Sequence, residues 1–251
     1  RGLQWANSPY AFHAVGSTMA IHALSYAQVR GVPKRQAAED FYLLDKLSKL
    51  QPLVRLQGTP VHIRSRISRR VPFGTGAETA RLTGGDGLEL YHPDCFAAVR
   101  EVIGCLQRVS EASNPSVVNL LAQLNPSVTH LLKSQGALGA WLKICEQSPT
   151  PIARLRRLHD WLDGFRTLKL VHHVRNHAAP SLPWQDAIQH APFMDEVQDD
   201  GACLREARTE LLRLEQALPR LVGPSVLQSC VSRLANRPRL PQMNTGFRET
   251  L

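Results

Sequence analysis

Nowhere do the 251 residues run for the roughly twenty uninterrupted apolar positions that a membrane-spanning helix needs, because charges or prolines break every candidate. There is no Cys-x-x-Cys pair, and the five cysteines (Cys95, Cys105, Cys145, Cys203, Cys230) are widely spaced and odd in number. That spacing argues against a disulfide framework or a thiolate zinc site, and for buried thiols in a reducing compartment. The opening Arg1-Gly2-Leu3-Gln4-Trp5 has neither the charged nor the apolar segment of a secretory leader, so a cytoplasmic chain, with at most peripheral membrane contact, is expected. Aromatics are few, at 6%, and neither an internal repeat nor a low-complexity block is present.

What is present is an ordinary globular composition, 43% hydrophobic and 20% charged, enough for one large domain or two modest ones. A disordered chain, a collagen and a disulfide miniprotein are excluded. Thirty Lys and Arg stand against 21 Asp and Glu, a net charge of +9. Such an excess favours anionic partners: nucleic acid, phospholipid headgroups or a phosphate-bearing small molecule.

Hydrophobic patterning divides the chain near residue 80. Phe12 to Ile21 is apolar and interrupted by Gly16, which predicts a strand. Ala23 to Arg30 has helical spacing and stops at Gly31-Val32-Pro33. From Gln36 to Leu50, apolar residues at three- and four-residue steps predict an amphipathic helix, ended by Pro52. Partial alternation from Leu53 to Ile67 predicts two short strands around Gly58. Residues 1–80 are therefore expected to be α/β, residues 81–91 a glycine-rich connection, residues 92–236 helical and residues 237–251 a tail. The predicted helices of the third region are Cys95–Glu111, Val117–Leu124, Val128–Cys145, Ile152–His177 and Ala202–Val222, with Pro and Gly between them.

Candidate chemistry concentrates in the first part. Glu39-Asp40 opens a predicted helix, where acids also complement the macrodipole and the orphan amides without any further role. From Lys46 to Ala77 the chain then carries Lys46, Lys49, Arg55, Arg64, Arg66, Arg69 and Arg70 and no acid at all. Four arginines followed by Phe73-Gly74-Thr75-Gly76 suit phosphate oxygens, since guanidinium forks and open backbone amides both bind them.

In order, GSTMAIHALSYAQVRGVPKR, AAEDFYLLDKL and RSRISRRVPFGTG resemble the second half of the catalytic domain of inverting GT-A glycosyltransferases of the family-two, cellulose-synthase-like kind. The resemblance covers about residues 8 to 80. It implies a partial GT-A-like nucleotide-diphospho-sugar transferase fold, followed here by a mainly α-helical C-terminal region. It also implies transfer of a sugar from a nucleotide-sugar donor to a sugar or other hydroxyl acceptor. Asp40 matches the general base and Glu39 its neighbour; Gly16, Ser17, Thr18 and His13 match acceptor-side positions. Arg66, Arg69, Arg70, Gly74 and Thr75 match the diphosphate side. Two departures stand out. The Asp-x-Asp pair that in this family holds Mg or Mn on the diphosphate occurs nowhere in the sequence, so a divalent cation is implied without a ligand motif. The donor half of the domain is also absent from these residues, which points to a missing N-terminal half or a second chain as partner. A non-catalytic basic module binding a phosphorylated or nucleic-acid partner is the alternative.

Elsewhere, His173 and His177 stand one helical turn apart, but Arg175 and the lack of a nearby carboxylate favour a surface or interdomain face over a metal site. Trp141 and Trp161 are expected in the core.

Overall fold

The computed structural model describes residues 1–14, 18–35, 37–54, 74–83, 87–112 and 116–194. Within them the elements in order are α1 (Gly2–Trp5), α2 (Ala23–Gln28), α3 (Glu39–Ser48), α4 (Thr75–Thr83), β1 (Glu89–Leu90), α5 (Pro93–Glu111), α6 (Val117–Ala122), α7 (Pro126–Ser134), α8 (Ala137–Gln147), α9 (Pro151–Trp161), α10 (Gly164–His177), β2 (Leu182–Pro183) and α11 (Trp184–Gln189).

The long helix α5 organises the molecule. Pro93 at its first turn and the His92 ring, which accepts the Asp94 N–H at 3.1 Å, start it. Its inner stripe, Val99, Val102, Ile103, Leu106 and Val109, repeats at three and four residues and is enclosed. Helices α1, α6, α9 and α10 pack on α5. Burying each such aliphatic side chain contributes about 1.5–3 kcal/mol, so this stripe is a main source of stability. Trp141 of α8 is fully enclosed and meets Trp161 edge to face, with centroids 5.6 Å apart. Both tryptophans sit in or against the core, as their helical positions imply. Cys95 and Cys105 are buried free thiols and Cys145 is half-buried; burial pushes all three thiols up.

Two expected long helices are each broken in two. Val128–Cys145 divides at Gly136, whose φ of +79° is left-handed backbone that glycine adopts without a Cβ penalty. Ile152–His177 divides after Leu162, because Asp163 turns outward to cap α10 and accepts the Arg166 N–H at 3.0 Å. The break leaves Phe165 at 37% exposure rather than in the apolar stripe.

The α/β expectation for residues 1–80 is corrected. The structure is predominantly helical and not a GT-A-like α/β fold: among the described residues the only sheet is the antiparallel pair of β1 and β2, two residues each, with Glu89 opposite Pro183 and Leu90 opposite Leu182. No described residue before Glu89 lies in a strand. The expected strand at 12–21 fails because its apolar residues have a different task. Phe12, Met19 and Ile21, with Leu53, lie as irregular cover on a small cluster of Val29, Leu43, Leu44 and Leu47, and among the described residues no second strand lies alongside to pair their backbone. Of the strands expected from Leu53 to Ile67, Leu53 and Val54 are irregular and the rest lies outside the described residues, as do Ala202–Val222 and the tail. No helix among the described residues is long and apolar enough to cross a membrane.

Candidate functional site

The acid pair opens α3 as its sequence requires, but by an uncommon route. Ala38, the residue before the helix, has φ +60° and offers no side-chain cap. A left-handed residue with a Cβ stores on the order of 1–3 kcal/mol of strain, and such residues gather at functional sites. Glu39 and Asp40 are half-buried in the first turn, where the free amides and the dipole favour negative charge. Asp40 Oδ1 accepts the N–H of Phe41 at 2.7 Å. The loop before them holds a second strained position, Arg30 at φ +61° followed by Gly31 at +68°, and Lys46 Nζ donates to the Val29 carbonyl at 3.2 Å, tying α2 to α3.

The remaining expected site residues are less gathered. His13 and Thr18 are exposed in irregular backbone. Gly16, Ser17, Arg66, Arg69 and Arg70 lie outside the described residues. Gly74 is exposed with φ +96° immediately before α4, and Thr75 is the first residue of that helix, which packs extensively against no other described element.

What the sequence reading missed is the joint behind α3. Asp45, only 6% exposed, lies on the same helix as the base candidate. Its Oδ1 accepts the Gly164 N–H at 2.7 Å, so an α3 carboxylate caps the start of α10. Lys49 Nζ sits 3.0 Å from Asp45 Oδ2 and 3.1 Å from Asp163 Oδ2. Arg166 Nη1 approaches the same Asp163 oxygen at 3.7 Å. Burial by itself would lower the Lys49 ammonium, but hydrogen bonds and charge from Asp45 and Asp163 outweigh it and hold Lys49 above its ordinary value. A Cβ on Gly164 would stand 3.0 Å from Asp45 Oδ1 and 3.3 Å from the Phe41 ring, so any larger residue would press on the cap. One signal for this joint was readable: an acid set among Leu43, Leu44 and Leu47, on the face that packs inward.

Beside the joint, Tyr10 donates its hydroxyl to the His159 carbonyl at 2.8 Å, and burial pushes the phenol far up. A cleft of about 340 Å³ lies here between Pro9–Tyr10, Ser48–Pro52 and α9, with Lys49, Arg156, His159 and Asp160 in its wall.

The histidines of α10 are engaged in hydrogen bonds. His172 Nε2 pairs with the Tyr91 hydroxyl at 2.8 Å, His173 Nε2 with the Ser127 hydroxyl at 2.8 Å, and the His173 and His177 rings stack at 4.4 Å. Burial lowers His172 and His173. Among the described residues no group of three or more His, Cys, Asp or Glu is arranged to hold a metal ion.

Neither a protein-family model, nor a curated protein, nor a solved structure matches the chain.

Proposed function

We propose that the chain takes part in glycosyl transfer with inversion, from a nucleotide-sugar donor to an acceptor hydroxyl, with Asp40 as general base. The observation that carries the reading is the position of Asp40: a half-buried carboxylate in the first turn of α3, directly after a strained left-handed Ala38. The resemblance of residues 8–80 adds the order of the segments around it. The fold that the resemblance implied is not part of the proposal.

In the proposed step the Asp40 carboxylate takes the proton of the acceptor hydroxyl as that oxygen bonds to the anomeric carbon. The bond to the donor's diphosphate breaks on the opposite side, and the diphosphate leaves with the electron pair. Arg66, Arg69 and Arg70, with the backbone at Gly74 and Thr75, would receive that negative charge, while Gly16, Ser17, Thr18 and His13 would border the acceptor. Donor binding, with any Mg or Mn on the diphosphate, falls to a segment or second chain beyond these residues, because no Asp-x-Asp pair is available here. A cytoplasmic enzyme with peripheral membrane contact fits this reading.

The test is nucleoside diphosphate release by the chain together with the segment or second chain that supplies donor binding, from a panel of nucleotide sugars with Mg²⁺ or Mn²⁺ and mixed hydroxyl acceptors. Asp40→Asn is expected to lower the rate by about 10²–10⁴ with the helical circular dichroism unchanged. Full activity in that variant would overturn the assignment.

A second reading, a non-catalytic basic module for a nucleic-acid or other phosphorylated partner, is favoured by one surface. The Arg35 guanidinium lies 3.7 Å over the Tyr42 ring, Tyr42 stands 5.8 Å from Phe165, and Lys169 Nζ lies 4.6 Å over Phe165. Cations on paired rings suit a stacked, phosphate-bearing chain. No transfer from any donor, together with steeply salt-dependent RNA binding, would select this reading.

A further inference from the structure

At the joint between α3 and the α9–α10 corner nearly every polar group has found a partner. Asp45, Lys49, Asp163 and the Tyr10 hydroxyl are all bonded. The exceptions fall together on one face of α9, at positions 156, 159 and 160, which successive turns of a helix bring side by side. Asp160 is half-buried and has neither a hydrogen bond nor an ion pair with a described residue, although Lys49, Arg156 and Arg157 are near enough to act on it through charge. The Nδ1 of His159 is enclosed and has no hydrogen-bond partner. Arg156 is exposed and makes a single contact at the limit of hydrogen bonding, from Nη2 to the Lys49 carbonyl at 3.5 Å. All three residues line the 340 Å³ cleft. The enclosed His159 nitrogen is shut off from the cavity, but the half-buried Asp160 carboxylate and the exposed Arg156 guanidinium stand on its wall without an ion pair, and such groups converging on one cavity point to something that binds there.

We propose that this cleft binds a small phosphorylated polyol of monosaccharide size. The inference does not rest on transfer at Asp40. The volume is at the small end of ligand sites. Arg156 offers a guanidinium fork for a phosphate. Asp160, an acceptor only when ionised, asks for hydroxyl donors and repels a second phosphate, which selects a ligand whose hydroxyls stand apart from a single phosphate. Burial holds the His159 ring below its ordinary value and therefore neutral at pH 7, so it adds no charge that competes for the phosphate. Tyr10 is buried and its hydroxyl already engaged, so the cleft presents no open ring on which a nucleobase would stack.

The experiment is calorimetric titration of the full chain with glucose 6-phosphate, and separately with glucose and with inorganic phosphate. The sugar phosphate is expected to bind at least about tenfold more tightly than either fragment, and Arg156→Ala and Asp160→Asn are each expected to weaken it by about tenfold or more. Both side chains are partly or fully exposed, and a thermal melt of each variant confirms its fold. Arg157→Ala, whose Nη1 donates to Ser148 Oγ at 3.2 Å, is expected to leave binding unchanged, as is Asp40→Asn. Transfer that is lost in Asp40→Asn while glucose 6-phosphate binding persists separates the two proposals. No measurable heat with the sugar phosphate, equal binding of phosphate alone, or binding indifferent to Asp160→Asn would overturn the cleft assignment.

Discussion

The two parts of the molecule are stabilised in different ways. Residues 87–194 with α1 close over a continuous apolar core that runs from Ala6 through the α5 stripe to Trp141, Leu158 and Leu170. The layer around α2 and α3 has four buried apolar residues, Val29, Leu43, Leu44 and Leu47, under a half-buried cover. All three non-glycine residues with left-handed backbone among the described residues, Asn7, Arg30 and Ala38, lie in the first 38 positions. Asn7 belongs to the end of α1, but Arg30 and Ala38 place two of the three in the thin layer, which also carries the acid pair, while the thick one carries the stability. What joins them is largely polar, the Asp45 cap on α10, the Lys49 bridge and the Tyr10 bond to the His159 carbonyl, with the ring contact of Tyr42 and Phe165 beside it. A strained site needs surroundings that over-determine it, and here the helical region supplies them.

The largest expected way to break this contrast is Trp141→Ala. It empties a fully enclosed site against Trp161, should remove about 3–5 kcal/mol, and should unfold both layers in one transition on urea titration followed by circular dichroism. Asp45→Asn is next. It removes the charge that pairs Lys49 and weakens the cap on Gly164, so the chain should lose about 1.5–3 kcal/mol, read from the same titration.

A smaller effect is pH-dependent. Burial lowers the His159 imidazole from its ordinary value of 6.5, so below about pH 6.5 the unfolded chain binds a proton that the folded one resists. That contribution to stability is present at neutral pH and lost as the pH falls through this window. His159→Gln should flatten the slope of stability against pH between about 7 and 5, and a slope unchanged in the variant would count against it. The smallest effect is expected at Ile152, 83% exposed at the start of α9, where Ile152→Ser should stay within about 0.5 kcal/mol of the parent.

How far the sequence led depended on the kind of signal. The α5 stripe and the helix starting at Glu39 could be read because their apolar spacing is helical and their ends carry a proline or an acid pair. The breaks at Gly136 and Asp163 were there as residue types but were outweighed by periodicity continuing on both sides. The expected strand from Phe12 to Ile21 went the other way. Its residues are largely apolar, yet only tertiary packing decides whether such a run pairs with a strand or lies over a helix face. In the candidate site, Asp40 could be found from its place in a motif order. The joint that Asp45, Asp163 and the α9 face make could not, beyond the buried position of Asp45, because their partners across it stand 107 or more residues away in the chain.

The most direct measurement of the central claim, that a thin strained layer is held on a self-sufficient helical core, is amide hydrogen exchange of the full chain and of Leu43→Ala. Leu43 is 1% exposed in the small cluster, and its truncation should cost about 2–5 kcal/mol. The account predicts that amides of α3 exchange faster in the variant while those of α5 keep their protection. Equal loss of protection in α3 and α5 would contradict it, because the two layers would then be one cooperative unit.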